Sequence, residues 1–138
     1  MKVLADTCAW SLLLRRKARA ALSNDEQFTL ASLKEAIKDG RVVLIGPVRQ
    51  EVLSGIKAQA QFEKLRTTLA AFPDEALSNQ HFEEAARLFN LCRSRGVECG
   101  SSDILICAVA AKMHYDILTY DQGLKRCIKL LRTEGLIQ

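Results

Sequence analysis

Three short apolar runs punctuate the chain: "KVLA" (2–5), "VVLI" (42–45) and "DILTY" (116–120). The first two lack polar alternation, the pattern of strands buried on both faces. Between the runs, apolar positions recur at helical spacing. Trp10 to Leu14 predicts one or two helical turns. "SNDE" (23–26) forms a capping box, in which Ser23 accepts from the Glu26 amide while Glu26 reaches back. The helix it opens carries Phe28, Leu30, Leu33 and Ile37 and stops at Gly40. Gly46-Pro47 ends the second run, and Pro47 suits the first position of a helix through "VRQEVLSGI". A helix over 59–72 ends at Pro73. Another places Phe82, Ala85, Ala86, Phe89 and Cys92 on one face and ends at Gly96. A basic helical stretch, "GLKRCIKLL", follows the third run. Strands alternating with helices predict an α/β fold, a parallel sheet covered on both faces. No linker or repeat interrupts residues 1–138, so we expect one domain.

One helix departs from the amphipathic pattern. In "SSDILICAVAAK" (101–112) a lone carboxylate, Asp103, heads a run that is apolar on almost every side. A helix of that kind is a buried one, and an acid at its mouth needs a reason.

Composition narrows the class. With 49% apolar residues and only two prolines, the chain reads as a compact globule rather than a disordered segment. No window approaches the roughly 18 apolar residues of a membrane span. The order of apolar and basic residues at the start does not fit a signal peptide, so a cytoplasmic protein without membrane contact is expected. The five cysteines (Cys8, Cys92, Cys99, Cys107, Cys127) have no CxxC pair. They are read as reduced and packed as small hydrophobes, and with His81 and His114 far apart no zinc ligand set is present. The net charge of +4 is a mild bias towards anionic partners. The cluster "RRKAR" (Arg15, Arg16, Lys17, Arg19) reads first as a solvated face, with a nucleic-acid contact as the alternative.

Four acids fall at the ends of elements, where open parallel sheets collect ligands. Asp6 follows the first run, Glu51 lies early in the helix after the second, Asp103 heads the buried helix, and Asp121 follows the third. Singly, each has an ordinary role: a cap, a solvated acid, a dipole partner, a turn residue. Together, carboxylates about 4 Å apart repel by roughly 4 kcal/mol at an effective dielectric near 20. An oxygen-only cluster suits a hard cation, Mg²⁺ or Mn²⁺.

The blocks "VLADTCAWSLLLRR", "GPVRQEVLSGI", "SSDILICAVA" and "ILTYDQGL", in this order, resemble the PIN-domain ribonucleases, and among them the VapC toxins of bacterial toxin–antitoxin pairs. The resemblance spans essentially the whole chain. It implies a three-layer α/β/α sandwich and a metal-dependent endoribonuclease acting on transfer or ribosomal RNA. By position, Asp6, Glu51, Asp103 and Asp121 would be the catalytic and metal-binding acids. Thr7 and Thr119 would be accessory hydroxyls, although for both a local backbone hydrogen bond is the favoured role. Arg15, Arg16 and Lys17, and less surely Arg49 and Lys57, would hold the RNA backbone.

The resemblance also implies a VapB-type antitoxin and a homodimer. Trp10, Leu13 and Phe62 are read as core rather than interface. Two departures stand out: Gly123 lies where many relatives carry a further acid, and Cys8 where serine is common. Gly123 leaves room for a decayed nuclease that only binds. A PIN nuclease of RNA maturation is a further alternative. A receiver-type phosphoryl-transfer domain is another, but it leaves Glu51 without a role.

Overall fold

A computed structural model describes residues 1–15 and 21–138. Its sheet is built from β1 (Val3–Ala5), β2 (Val42–Val43) and β3 (Asp116–Leu118), all parallel, in the order β2-β1-β3. Among the described residues seven helices accompany it: α1 (Thr7–Leu14), α2 (Asn24–Lys38), α3 (Gly46–Leu53), α4 (Gln59–Leu69), α5 (Asn79–Ser94), α6 (Ser101–Met113) and α7 (Gln122–Thr133). The expected α/β sandwich is the fold. Helix α1 packs against both α2 and α3, and α3 against α4, while α5, α6 and α7 pack together. None of the helices is long and apolar enough to cross a membrane.

Local signals set most boundaries. The Ser23–Glu26 box forms reciprocally at 3.1 and 2.9 Å. Gly40 takes the left-handed conformation at φ 68° just beyond α2, and Pro47 sits in the first turn of α3. The strands are shorter than their apolar runs. Leu44 leaves β2 to bond the 73–75 segment instead, its N–H donating to the Pro73 carbonyl and its carbonyl accepting from Glu75. Thr119 and Tyr120 fall outside β3, and α4 ends at Leu69 rather than at Phe72.

The core is continuous. Leu4, Leu44 and Ile45 of the sheet region, Trp10, Leu33, Val48, Ile106, Val109, Leu124 and Leu131 are fully buried. Trp10 packs its ring 4.9 Å from that of Phe72, as expected of a core residue. Leu13 and Phe62 are half-buried. Helix α6 is the most enclosed of the described helices: Ile104 and the whole run Ile106 to Ala110 are buried.

The cysteines depart from expectation. Cys99 and Cys127 are joined by a disulfide, while Cys8, Cys92 and Cys107 are free. Cys99 directly precedes α6 and Cys127 lies within α7, so the bridge ties together the two helices that carry Asp103 and Asp121. Twenty-eight residues separate the two cysteines in the chain, which is why their pairing is not legible from local pattern.

Candidate metal and nuclease site

Asp6 leaves β1 and becomes the N-cap of α1. Both of its oxygens are engaged. Oδ1 accepts from the Thr7 N–H at 2.7 Å, and Oδ2 accepts from the Thr119 hydroxyl at 3.0 Å. Only 7% of the residue is exposed, and burial raises its pKa above the ordinary 3.8. Hydrogen bonds from Cys8, Thr119 and Thr7 oppose that shift, and the Asp121 charge adds to it.

Thr119 joins two of the acids. Besides donating to Asp6, its oxygen accepts the Asp121 N–H at 3.0 Å and lies 3.3 Å from the Cys8 sulfur. The local backbone bond expected of Thr119 is therefore present, together with a bond to Asp6 from 113 residues away. Cys8 has its thiol pushed up to about 11, mainly by burial, so it remains protonated. Thr7 differs from expectation: its hydroxyl is buried and has no hydrogen-bond partner.

Asp121 is the N-cap of α7, accepting the Leu124 N–H at 2.8 Å through Oδ2. Gly123 is tied to this geometry. A Cβ at that position would stand 3.1 Å from Asp121 Oδ2, tighter than ordinary packing. The missing acid thus leaves the space in which Asp121 folds back to cap its helix.

Asp103 occupies the first turn of α6, half-buried. Its carboxylate lies over the start of its own helix, 3.6 Å from where a Cβ on Gly100 would be. Its pKa is pushed up to about 6, first by burial and then by the charges of Asp6, Asp121 and Glu51. The other three acids therefore lie within electrostatic range of Asp103, with Asp6 and Asp121 at the carboxyl ends of β1 and β3. Glu51, on α3, is exposed.

The basic residues proposed for RNA distribute differently. Arg49 turns away to Asp74, 2.9 Å from its Oδ1, with its own Nε buried and unpartnered. Its guanidinium is therefore committed to a protein carboxylate. Arg15 is exposed and reaches the Ser54 carbonyl at 3.5 Å. Arg16, Lys17 and Arg19 lie outside the described residues, and Lys57 is exposed.

The donor set fits a hard divalent cation chemically: four carboxylates repel one another, and none forms an ion pair among the described residues. As they sit, no three acidic, histidine or cysteine side chains among the described residues are gathered closely enough to hold one ion. The acids form an open field rather than a closed cage.

Known proteins agree with this architecture. The PIN domain profile matches residues 3–130. The chain belongs to the PIN domain family. No curated protein sequence matches this PIN domain. Among solved structures, it is similar to the crystal structure of FitAcB from Neisseria gonorrhoeae, with a TM-score of 0.69 and 17% identity over 92% of this chain and 93% of the other. At that identity the likeness bears on the fold alone.

Proposed function

We propose that this PIN domain is an Mg²⁺- or Mn²⁺-dependent endoribonuclease, the toxin of a type II toxin–antitoxin pair with a VapB-type partner. One observation carries the nuclease reading: Asp6 and Asp121, from distant parts of the chain, share the Thr119 hydroxyl, and Asp103, its pKa raised first by burial, is raised further by their charges and that of Glu51. A structural cap or turn needs no such meeting. PIN domains generally use divalent metals, and the toxin assignment rests on the four VapC-like blocks. Asp6, Glu51, Asp103 and Asp121 would hold the cation, which when bound supplies positive charge at a phosphodiester and acidifies a water.

The chain's own part is divided among named groups. Thr7 N–H and Thr119 hydroxyl fix the Asp6 carboxylate in orientation before any substrate arrives. Asp121 stays anchored to Leu124 N–H through Oδ2. Asp103 and Glu51, whose carboxylates accept no hydrogen bond among the described residues, are free to turn inward.

The decisive test is incubation of pure protein with structured RNA and Mg²⁺ or Mn²⁺. Cleavage that EDTA stops, and that Asp6→Asn removes without change in circular dichroism, is the expected result. Intact RNA under every divalent cation tried sinks the enzyme reading and leaves a binding module. Induced expression should arrest growth, and co-expression of an adjacent small antitoxin gene should restore it. Cleavage without arrest points instead to RNA maturation.

A further inference from the structure

A groove of about 450 Å³ opens beside the acidic edge, between β3 and α7. Its walls include Ile117 and Thr119 on one side and Lys125, Lys129, Arg132 and Thr133 on the other. No acid lines it.

The sequence pattern explains both walls. On α7, Leu124, Cys127, Ile128 and Leu131 are buried, which turns Lys125, Lys129 and Arg132 onto a neighbouring stripe at i, i+4 and i+7. At 1.5 Å rise per residue, these cations are spaced roughly 6 and 4.5 Å apart along the axis. On the other side, β3 is an edge strand. Asp116 donates to the Lys2 carbonyl, and the Leu118 carbonyl accepts from Asp6. By the alternation of a parallel ladder, the Ile117 peptide group points away from β1, towards the groove.

The groove and the acidic edge meet at one residue. Thr119 lines the groove, and its hydroxyl holds Asp6. The cations are only lightly committed. Lys125 lies 3.8 Å from Asp25 with both side chains well exposed, a pairing worth little. Arg132 donates Nε–H to the Gln138 carbonyl at 2.6 Å. Lys129 has no ion pair among the described residues.

We propose that this groove is the track of the RNA substrate, with Lys125, Lys129 and Arg132 holding successive phosphates of a single strand that runs from the acidic edge along α7. The proposal rests on the nuclease reading above. An acidic peptide adding to the sheet edge fits less well. The three-residue strand turns a single peptide group outward, too few for strand addition. Among the described residues, Ile117 and Ile128 are the only apolar residues in the lining to anchor side chains.

The test uses the full chain with Lys125→Ala/Lys129→Ala, both exposed or half-buried positions where alanine keeps the helix. Binding of a labelled single-stranded RNA is followed by anisotropy in EDTA from 0.05 to 0.3 M salt, and cleavage is scored separately in Mg²⁺. Each lost phosphate contact flattens the salt slope by about 0.7, so the pair should lower it by about 1.4 and weaken binding roughly 25-fold at 0.1 M salt. If the unchanged protein binds and cleaves RNA while the double variant keeps its affinity and slope, the track is wrong and the nuclease reading stands. If the unchanged protein neither binds nor cleaves RNA, both fall. If the variant loses only a polyglutamate peptide, the groove is a peptide site and the proposal is overturned.

Discussion

The four acids divide into two pairs. Asp6 and Asp121 sit at strand ends, each already bound by backbone N–H and connected through Thr119. Asp103 and Glu51 sit in the turns of helices, and no hydrogen bond holds their carboxylates among the described residues. The first pair is positioned by the fold itself. The second is not held in this way, and on the proposed metal site it would be drawn in by the bound charge. Preset groups set where a ligand goes, and unrestrained ones let the site close around it.

Replacing an acid in each pair by its longer or shorter homologue should break or sharpen this contrast most. Asp6→Glu moves a carboxylate whose two oxygens are both used, so RNA cleavage should fall about 1,000-fold, roughly 4 kcal/mol. Glu51→Asp, on an unrestrained side chain, should cost about tenfold or less. Equal losses in a cleavage assay would erase the distinction.

The disulfide links one acid of each pair through the helices that bear them. Cys127→Ser should lower unfolding free energy by about 3–4 kcal/mol for a bridge 28 residues apart, read from denaturant midpoints. An unchanged midpoint would show that Cys99 and Cys127 are not paired in solution.

Thr119 probes the preset pair alone. Thr119→Val strips a hydroxyl from Asp6 and from the Asp121 N–H and should slow cleavage 10- to 100-fold. Thr119→Ser should restore most of it, since the serine hydroxyl can reach the same partners. Failure of that rescue would mean the threonine methyl, not its oxygen, matters.

The smallest effect concerns Asp103 in the cation-free protein. Its pKa is higher in the folded chain, about 6, than the ordinary 3.8. Folding is therefore favoured while it carries its proton, and that stability is lost as pH rises through about 6. Asp103→Asn should raise Tm by about 3–5 °C at pH 8, corresponding to about 1 kcal/mol, and change little at pH 4. Added Mg²⁺ should stabilise the parent and not the variant. A pH-independent difference in calorimetry would rule out the repulsion.

Helices were legible where chemistry is local. The Ser23 box, Gly40 and Pro47 mark their ends without reference to the rest of the fold. Strand length was not, because Leu44 takes its partner from the 73–75 segment, a choice made by tertiary contact. The acids could be picked out by their place after each apolar run, but their meeting depends on sheet order. Arg49 shows the limit most clearly: the resemblance implied an RNA contact, and its ion pair with Asp74, 25 residues on, has no local signal in the chain. The idle hydroxyl of Thr7 likewise follows from enclosure, which no neighbour in the chain announces.

Gly123 carries a consequence for engineering. An aspartate placed there would add one oxygen donor, but its methylene would press on the carboxylate that starts α7. Grafting that charge back would add a donor to the site and require the Asp121 carboxylate to give by a few tenths of an ångström at the start of α7.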